Sequence, residues 1–433
     1  MIINNTNFKY IKYLLLSLLI LLSFYRSPFI FLNGRFLAEE ASSHFIYALQ
    51  NNFFQNLIFF DEAAGYYNFI PNFFTWISTY LKIEQAPLAT VYGSFLIIIL
   101  LPYLCLFRNS ILLDTQSKKI LASLLLFFSP PFVPEIWLNT INSQVYLCLI
   151  LVLILFMIDL SRKQKIINNF LVLVSGLSGI YSCSLAPFFL IKYFSEKNSY
   201  NLLNLLILII TNIIQLILII RSKINDTLVE TSLGFELNAD LFLNLFYNFI
   251  AKSIMARQLT HFIWSNIGFL FNNNYFLFLI ILFLLTLSLF LFNFKRVISF
   301  LKKDKLLLNL CGIFIVISLV VIIGSLGNQV SGRYAVIPGA VLLIIYLHLY
   351  SVVKNLYLKL IFFIFISLSL VTGLYEFRPP TTNVKHQYLK YLDCISCPVW
   401  SEEIQKWKID KDYRIGLWPY PKKSIAPGNL IID

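Results

Sequence analysis

The chain has 433 residues, of which 58% are hydrophobic and only 13% are charged, and its formal net charge is +13. Water-soluble domains carry about 25% charged residues, so this composition argues strongly against a soluble fold. The apolar runs are continuous rather than alternating, which also argues against an outer-membrane barrel.

Lysine and arginine cluster in short segments between the apolar runs, several of which exceed the roughly 20 residues that cross a bilayer. This distribution is typical of signals that orient membrane helices, and it does not favour a nucleic-acid partner. We predict an all-α polytopic protein of the cytoplasmic (inner) membrane with about 11 transmembrane helices, in a range of roughly 9 to 13.

The first predicted span runs from Ile11 to about Leu32 and has neither the short apolar region nor the cleavage site of a signal peptide. We expect it to stay uncleaved, with a cytoplasmic N-terminus. The next segment, GRFLAEEASSHFIYALQN, has apolar residues at helical spacing and places Glu39 and Glu40 on the other side. It predicts an amphipathic helix at the outer membrane surface with its acids facing water.

Beyond this helix, the pattern predicts a transmembrane domain over residues 1–375 and a small extracytoplasmic tail over 376–433. The domain has a first external loop at 33–86, which holds amphipathic juxtamembrane helices, and a long external loop at 221–274. The other predicted spans are 87–107, 120–134, 143–160, a hairpin of two short helices at 166–193, 202–220, 275–294, 306–324, 335–353 and 360–375.

The adjacent carboxylates Glu39 and Glu40 are the first candidate for chemistry. Neighbouring carboxylates in a partly dry site can raise one another's pKa, so that one becomes a general base near neutral pH. A divalent metal ion held between the two carboxylates is an alternative, and so is a solvated face, because acids favour the first turn of a helix. Arg35 and His44 are candidate substrate-binding residues, and Arg35 is also placed to neutralise the pair.

A second candidate site is the stretch EIWLNTINSQ, where Glu135, Asn139, Asn142 and Gln144 lie at the outer end of two predicted spans. Polar side chains at membrane depth tend to face a cavity, and sugar hydroxyls need such amide and carboxylate partners. Interhelical hydrogen bonds or a plain external turn explain these residues equally well.

Arginines provide the remaining candidates. Arg333 lies near a predicted membrane boundary beside Tyr334, where it could bind a lipid phosphate in a bidentate manner or simply contact lipid headgroups. Arg257 and His261 are spaced four residues apart in the long external loop. They are candidates for binding phosphate or the acceptor, and the alternative is that they form a solvated helix face.

Cys394 and Cys397 form a CISC motif in the polar tail, whereas the other four cysteines lie in apolar runs. Two cysteines are a poor zinc site. On the extracytoplasmic side they could oxidise, and we predict a structural disulfide between them.

The segment EEASSHFIYAL directly after the first span resembles the GT-C superfamily of membrane glycosyltransferases. Many members have Asp-Glu-Ala with aromatic and small residues following on a juxtamembrane helix, and here Glu39 stands in place of the commoner aspartate. Further stretches resemble one uncharacterised bacterial branch, in order AGYYNFIPNFFTWIS (64–78), EIWLNTINSQVYL (135–147), GLSGIYSCSLAPFFL (176–190) and SGRYAVIP (331–338).

This resemblance implies transfer of a sugar from a polyprenyl-phosphate carrier to an envelope glycan, lipid or protein acceptor on the extracytoplasmic face. Glu39 or Glu40 would act as the base, and Arg333 or Arg257 would stabilise the departing lipid phosphate. Whether a divalent metal ion is a cofactor is left open. The alternatives are a transporter or flippase of lipid-linked saccharides, which is expected to show internal repeats, and a non-catalytic scaffold.

Overall fold

The computed structural model describes residues 5–128, 134–225, 249–250, 253–254, 303–324, 332–378, 397–418 and 423–426. The described chain is mostly helical, as predicted. Its helices are α1 (Asn5–Arg26), α2 (Pro28–Asn33), a π-helix (Glu40–Phe45), α3 (Ile46–Gln50), α4 (Phe53–Leu57), α5 (Phe69–Ser78), α6 (Pro87–Phe107), α7 (Gln116–Phe128), α8 (Ser143–Leu155), α9 (Arg162–Gly176), α10 (Ala186–Glu196), α11 (Ser199–Ile224), α12 (Lys305–Gly324), α13 (Val336–Val352), α14 (Leu356–Phe377) and α15 (Trp400–Ile409).

Six helices among the described residues are long and apolar enough to cross a membrane. They are Phe8–Arg26, Ile83–Phe107, Ser199–Ile224, Lys305–Ile322, Arg333–Val352 and Leu356–Phe377. They indicate a membrane-embedded protein. The number of about 11 spans stays a prediction, and the predicted span at 275–294 lies outside the described residues.

Two predicted spans are shorter in the structure than the sequence indicated. The first helix ends at Arg26, and α2 begins at Pro28, because proline disfavours helical backbone in the residue before it. The helix expected at 143–160 is α8, which ends at Leu155 after 13 residues. The helix expected at 120–134 is α7, which is described from Gln116 to Phe128, and residues 129–133 lie outside the described residues.

Helix α8 lies at the centre of the bundle, since all 13 of its residues are buried. In α13, nearly all residues from Val336 to His348 are buried as well. The outer helices instead expose large apolar side chains, such as Leu14, Ile217 and Phe363, which are 72%, 58% and 50% exposed. Exposed apolar surface of this kind is what a helix presents to lipid.

The region predicted as a hairpin, 166–193, contains two short helices, α9 and α10, which both pack against α11. Lys192 Nζ in α10 donates to the carbonyl of Met157, just beyond the end of α8, at 3.3 Å. In the turn between α9 and α10, the amide of Gly179 donates to the carbonyl of Tyr67 at 3.1 Å. This turn therefore lies against the first loop, which also contains the acidic segment (residues 34–51).

The C-terminal tail contains a folded unit, called here the C-terminal unit (residues 397–418 and 423–426). It consists of α15 and an antiparallel pair of strands, β1 (Ile415–Leu417) and β2 (Lys423–Ile425), so the protein is not purely helical. The unit packs on the acidic segment through one apolar cluster that includes Phe36, Phe45 and Trp400. The predicted topology places the tail and the acidic segment on the same side of the membrane, and this contact is compatible with it. That this side is extracytoplasmic stays a prediction.

Candidate functional site

The acidic segment is not the single amphipathic α-helix that its spacing predicts. Ala38 has a left-handed backbone with φ of +48°, and a π-helix follows from Glu40 before α3 begins at Ile46. The predicted apolar stripe is buried, including Leu37, Ala41 and Phe45.

The prediction that both acids face water is wrong for Glu40, which is 0% exposed. Its Oε1 accepts hydrogen bonds from the amide of Thr140 at 2.6 Å and from the Thr140 hydroxyl at 2.5 Å. Its Oε2 accepts one from the amide of Leu37 at 2.8 Å. These donors hold the carboxylate in the interior, because a buried carboxylate needs hydrogen-bond partners.

Complete burial raises the pKa of Glu40, and its hydrogen bonds and the charge of Arg35 oppose that shift. Both carboxylate oxygens are engaged by Thr140 and Leu37, so Glu40 joins the acidic segment to the 134–142 loop rather than facing a substrate. For the same reason the predicted pair of Glu39 and Glu40 does not fit as a metal site. Among the described residues no group of three metal-ligating side chains comes together.

We expect Glu40→Ala to destabilise the protein by about 3 kcal/mol or more, because three buried donors would lose their acceptor. Thr140→Val removes only the hydroxyl bond and should cost about 1 kcal/mol. Thermal unfolding in detergent and abundance in the membrane measure both effects. Glu402→Ala is the control, since Glu402 is exposed on α15. Unchanged unfolding of the Glu40 variant would contradict a structural role.

Glu39 remains partly exposed at the start of the π-helix. Its charge acts on the ionisation of two buried neighbours, His44 and Tyr66. Glu39 is therefore the member of the acidic pair that a substrate can reach.

His44 is fixed in one orientation, five residues after Glu39 in the acidic segment. Its Nδ1 lies 2.7 Å from Oδ1 of Asn72, and Nδ2 of Asn72 donates to the carbonyl of Phe59 at 2.8 Å. Because Asn72 therefore presents an acceptor, Nδ1 of His44 is the protonated nitrogen. Burial lowers the pKa of His44, so the ring is neutral and its Nε2 has acceptor character.

Tyr66 contacts the second group of candidates. Its hydroxyl accepts a hydrogen bond from Nε2 of Gln144 at 3.0 Å. Burial raises the pKa of Tyr66, the charge of Arg333 opposes that shift, and the charge of Glu39 adds to it. The hydroxyl stays protonated, and the charges of Glu39 and Arg333 have opposite effects on its pKa.

Arg333 forms an ion pair with Glu135, with Nη1 and Oε1 3.0 Å apart. Its Nη2 donates to the hydroxyl of Tyr334 at 3.3 Å. The two charged side chains are 38% and 27% exposed, so an anion can approach the guanidinium. The structure thus pairs Glu135 with Arg333 and Tyr66 with Gln144. The charges of Arg333 and Glu39 both influence the pKa of Tyr66.

Two predicted sugar-binding residues, Asn139 and Asn142, instead shape their own loop. The side chains of both donate to the carbonyl of Glu135, at 2.7 and 3.2 Å. The amide of Asn142 donates to Oδ1 of Asn139 at 2.9 Å. Both side chains are buried, at 0% and 3% exposure. They order the backbone that carries Glu135.

Arg35 is also turned inward, with 2% exposure. Its Nη2 donates to the carbonyl of Trp137 at 2.8 Å, and its guanidinium lies 5.0 Å from the ring of Trp418. Arg35 therefore links the acidic segment to the 134–142 loop and to the C-terminal unit, and in this structure it does not face a substrate.

The remaining candidates are Arg257, His261 and Cys394, which lie outside the described residues. Cys397 is disulfide-bonded, and it packs beside Leu37 and Trp418. The four cysteines of the apolar runs are free.

Sequence reasoning did not single out Tyr66 or the contact of the tail with the acidic segment. Tyr66 follows Gly65, which has φ of +74°. A pair of tyrosines directly after a glycine turn was the sequence signal that could have identified Tyr66.

No family model matches the chain, and neither a curated protein nor a solved structure matches it.

Proposed function

We propose that the protein is a GT-C-like integral membrane glycosyltransferase that moves a sugar from a polyprenyl-phosphate carrier to an envelope glycan, lipid or protein acceptor. The observation that supports this proposal is a partly exposed carboxylate, Glu39, at the start of the π-helix, together with a partly exposed guanidinium, Arg333, which Glu135 holds at 3.0 Å. A base and a cation are the groups that such a transfer requires.

In the proposed reaction, Glu39 takes the proton of an acceptor hydroxyl while that oxygen attacks the anomeric carbon of the sugar. The bond from that carbon to the phosphate oxygen breaks, and the phosphate leaves with the electron pair. Arg333 neutralises the developing charge, which is worth several kcal/mol in a water-poor site. The protonated hydroxyl of Tyr66 is a hydrogen-bond donor to the same oxygens.

His44 and Glu135 have supporting roles in this scheme. Neutral His44 is fixed by Asn72, and because it carries no charge it does not neutralise the base. Glu135 holds Arg333 in the absence of an anion.

A deletion strain tests the proposed activity. We expect it to lack one sugar of an envelope glycan or glycolipid and to accumulate the matching polyprenyl-phosphate sugar, both detected by mass spectrometry. Expression of the wild-type protein should restore the product. For the alternative transporter or flippase, purified protein in liposomes would move the lipid-linked saccharide between leaflets without transferring its sugar. That result would contradict the enzyme proposal.

A further inference from the structure

The backbone directly before Glu39 is held by the C-terminal unit. Ala38, a non-glycine residue, has φ of +48°, a left-handed conformation that only glycine adopts without strain. Its amide donates to the carbonyl of Trp418 at 2.7 Å, and Leu37 pairs with Trp418 as an isolated parallel bridge. A conformation of this kind persists only where surrounding contacts impose it.

Trp418 is itself firmly fixed. It is 3% exposed, and its Nε1 donates to the carbonyl of Pro398 at 2.9 Å. Its ring lies 5.0 Å from the guanidinium of Arg35. Strand β1 ends one residue before it, and Oε2 of Glu403 accepts from the amide of Gly416 in that strand at 2.8 Å.

The C-terminal unit also contacts the acidic segment on both sides of Glu39. The ring of Trp400 packs edge-on against Phe36, with centroids 4.9 Å apart, and against Phe45 at 6.1 Å. Its Nε1 donates to the carbonyl of Ile83 at 2.6 Å. The unit is therefore anchored independently of Trp418, and Trp418 is the part of it that contacts the left-handed turn.

We propose that Trp418 is a positioning residue for Glu39: it imposes the left-handed conformation of Ala38 that aims the Glu39 carboxylate at the site. Glu40 holds one side of the segment to Thr140, and the C-terminal unit covers another. The role of Glu39 in this inference rests on the proposed function, whereas the effect on the backbone of Ala38 does not.

The test uses the full-length protein with the substitution Trp418→Ala. This substitution keeps the backbone carbonyl that accepts from Ala38, but it removes the ring whose contacts with Pro398 and Arg35 hold that carbonyl in place. Misplacing a catalytic group by about 1 Å can cost about 100-fold in rate, so we expect product to fall by about 10- to 100-fold. We also expect hydrogen exchange in residues 36–45 to become at least about tenfold faster, while residues 139–147 exchange as before.

A second substitution separates positioning from general stability. Glycine at position 38 adopts the left-handed conformation without the Cβ penalty, so Ala38→Gly in the Trp418→Ala background should raise product at least about fivefold. Ala38→Gly alone is the reference. Trp407→Leu is the matched control, because Trp407 is a buried tryptophan of the same unit that stacks under Lys411. Ala38→Gly should not restore its losses.

Four results would overturn the inference: normal exchange in Trp418→Ala, full product from Trp418→Ala, loss of product that Ala38→Gly does not restore, or equal restoration in Trp407→Leu. Glu39→Gln is measured alongside. If it abolishes product while Trp418→Ala does not, the positioning role fails and the proposed function stands. If Glu39→Gln keeps full product, the proposed function fails, and exchange at residues 36–45 still decides whether Trp418 sets this turn.

Discussion

Glu39→Gln is expected to lower glycan product by about 100-fold or more, because general-base catalysis contributes about 10²–10⁴-fold. Glutamine keeps the size of the side chain and removes only the ability to take a proton. Glu39 is partly exposed and is not buried against Thr140 as its neighbour is, so the variant should be made and inserted normally. Product is measured by mass spectrometry in the deletion strain.

Glu39→Asp gives the second half of this prediction. It introduces the acid that GT-C motifs commonly carry and shortens the reach by one methylene, so we expect activity between those of the wild type and Glu39→Gln. Glu402→Gln is the matched control, as an exposed glutamate of the C-terminal unit, and should keep full product. If the Glu39→Gln protein is present at normal abundance and yields full product, Glu39 is not the base.

The membrane-embedded helices were predictable because length and composition alone identify them. A continuous apolar run needs no knowledge of its neighbours, and the helices Ile83–Phe107 and Arg333–Val352 appear where the sequence indicated. The end of the first helix at Arg26 could also have been anticipated from Pro28.

The fate of the acidic pair was not predictable from local spacing. Helical periodicity places Glu39 and Glu40 on the same polar side, but Thr140, which lies 100 residues away in the chain, buries one of them. The π-helix and the left-handed Ala38 change the direction of these side chains, and neither has a clear signature in the sequence. The same limit applies to Trp418, whose contact with Ala38 spans almost the whole chain.

The amides of the 134–142 loop show why residue type alone does not identify a binding site. Asn139 and Asn142 suit sugar hydroxyls, but the loop needs them to satisfy its own backbone, through the carbonyl of Glu135. Their contribution to a site is indirect, because they fix the backbone of Glu135, whose carboxylate forms the ion pair with Arg333.

Arg333 and Glu135 should affect donor binding in opposite directions. Because Glu135 occupies Nη1 of Arg333, an incoming phosphate must compete with this carboxylate. Arg333→Gln removes charge-assisted hydrogen bonds to the phosphate, and we expect the Kd for farnesyl phosphate to rise about 10- to 100-fold. Glu135→Gln removes the competitor while leaving the cation, so the Kd should fall about 3- to 10-fold. Calorimetry in detergent with Glu39→Gln protein measures binding without turnover.

The pair of Arg221 and Glu62 is a matched control, since these side chains also form an ion pair, 2.9 Å apart, with 60% and 35% exposure. Substitution of either residue by glutamine should leave the Kd for farnesyl phosphate unchanged, and farnesol should not bind through Arg333. Weaker binding in Glu135→Gln would mean that the carboxylate supports the bound ligand rather than competing with it. Unchanged binding in Arg333→Gln would place the lipid phosphate elsewhere, because the charge-assisted hydrogen bonds of Arg333 would then contribute nothing to binding.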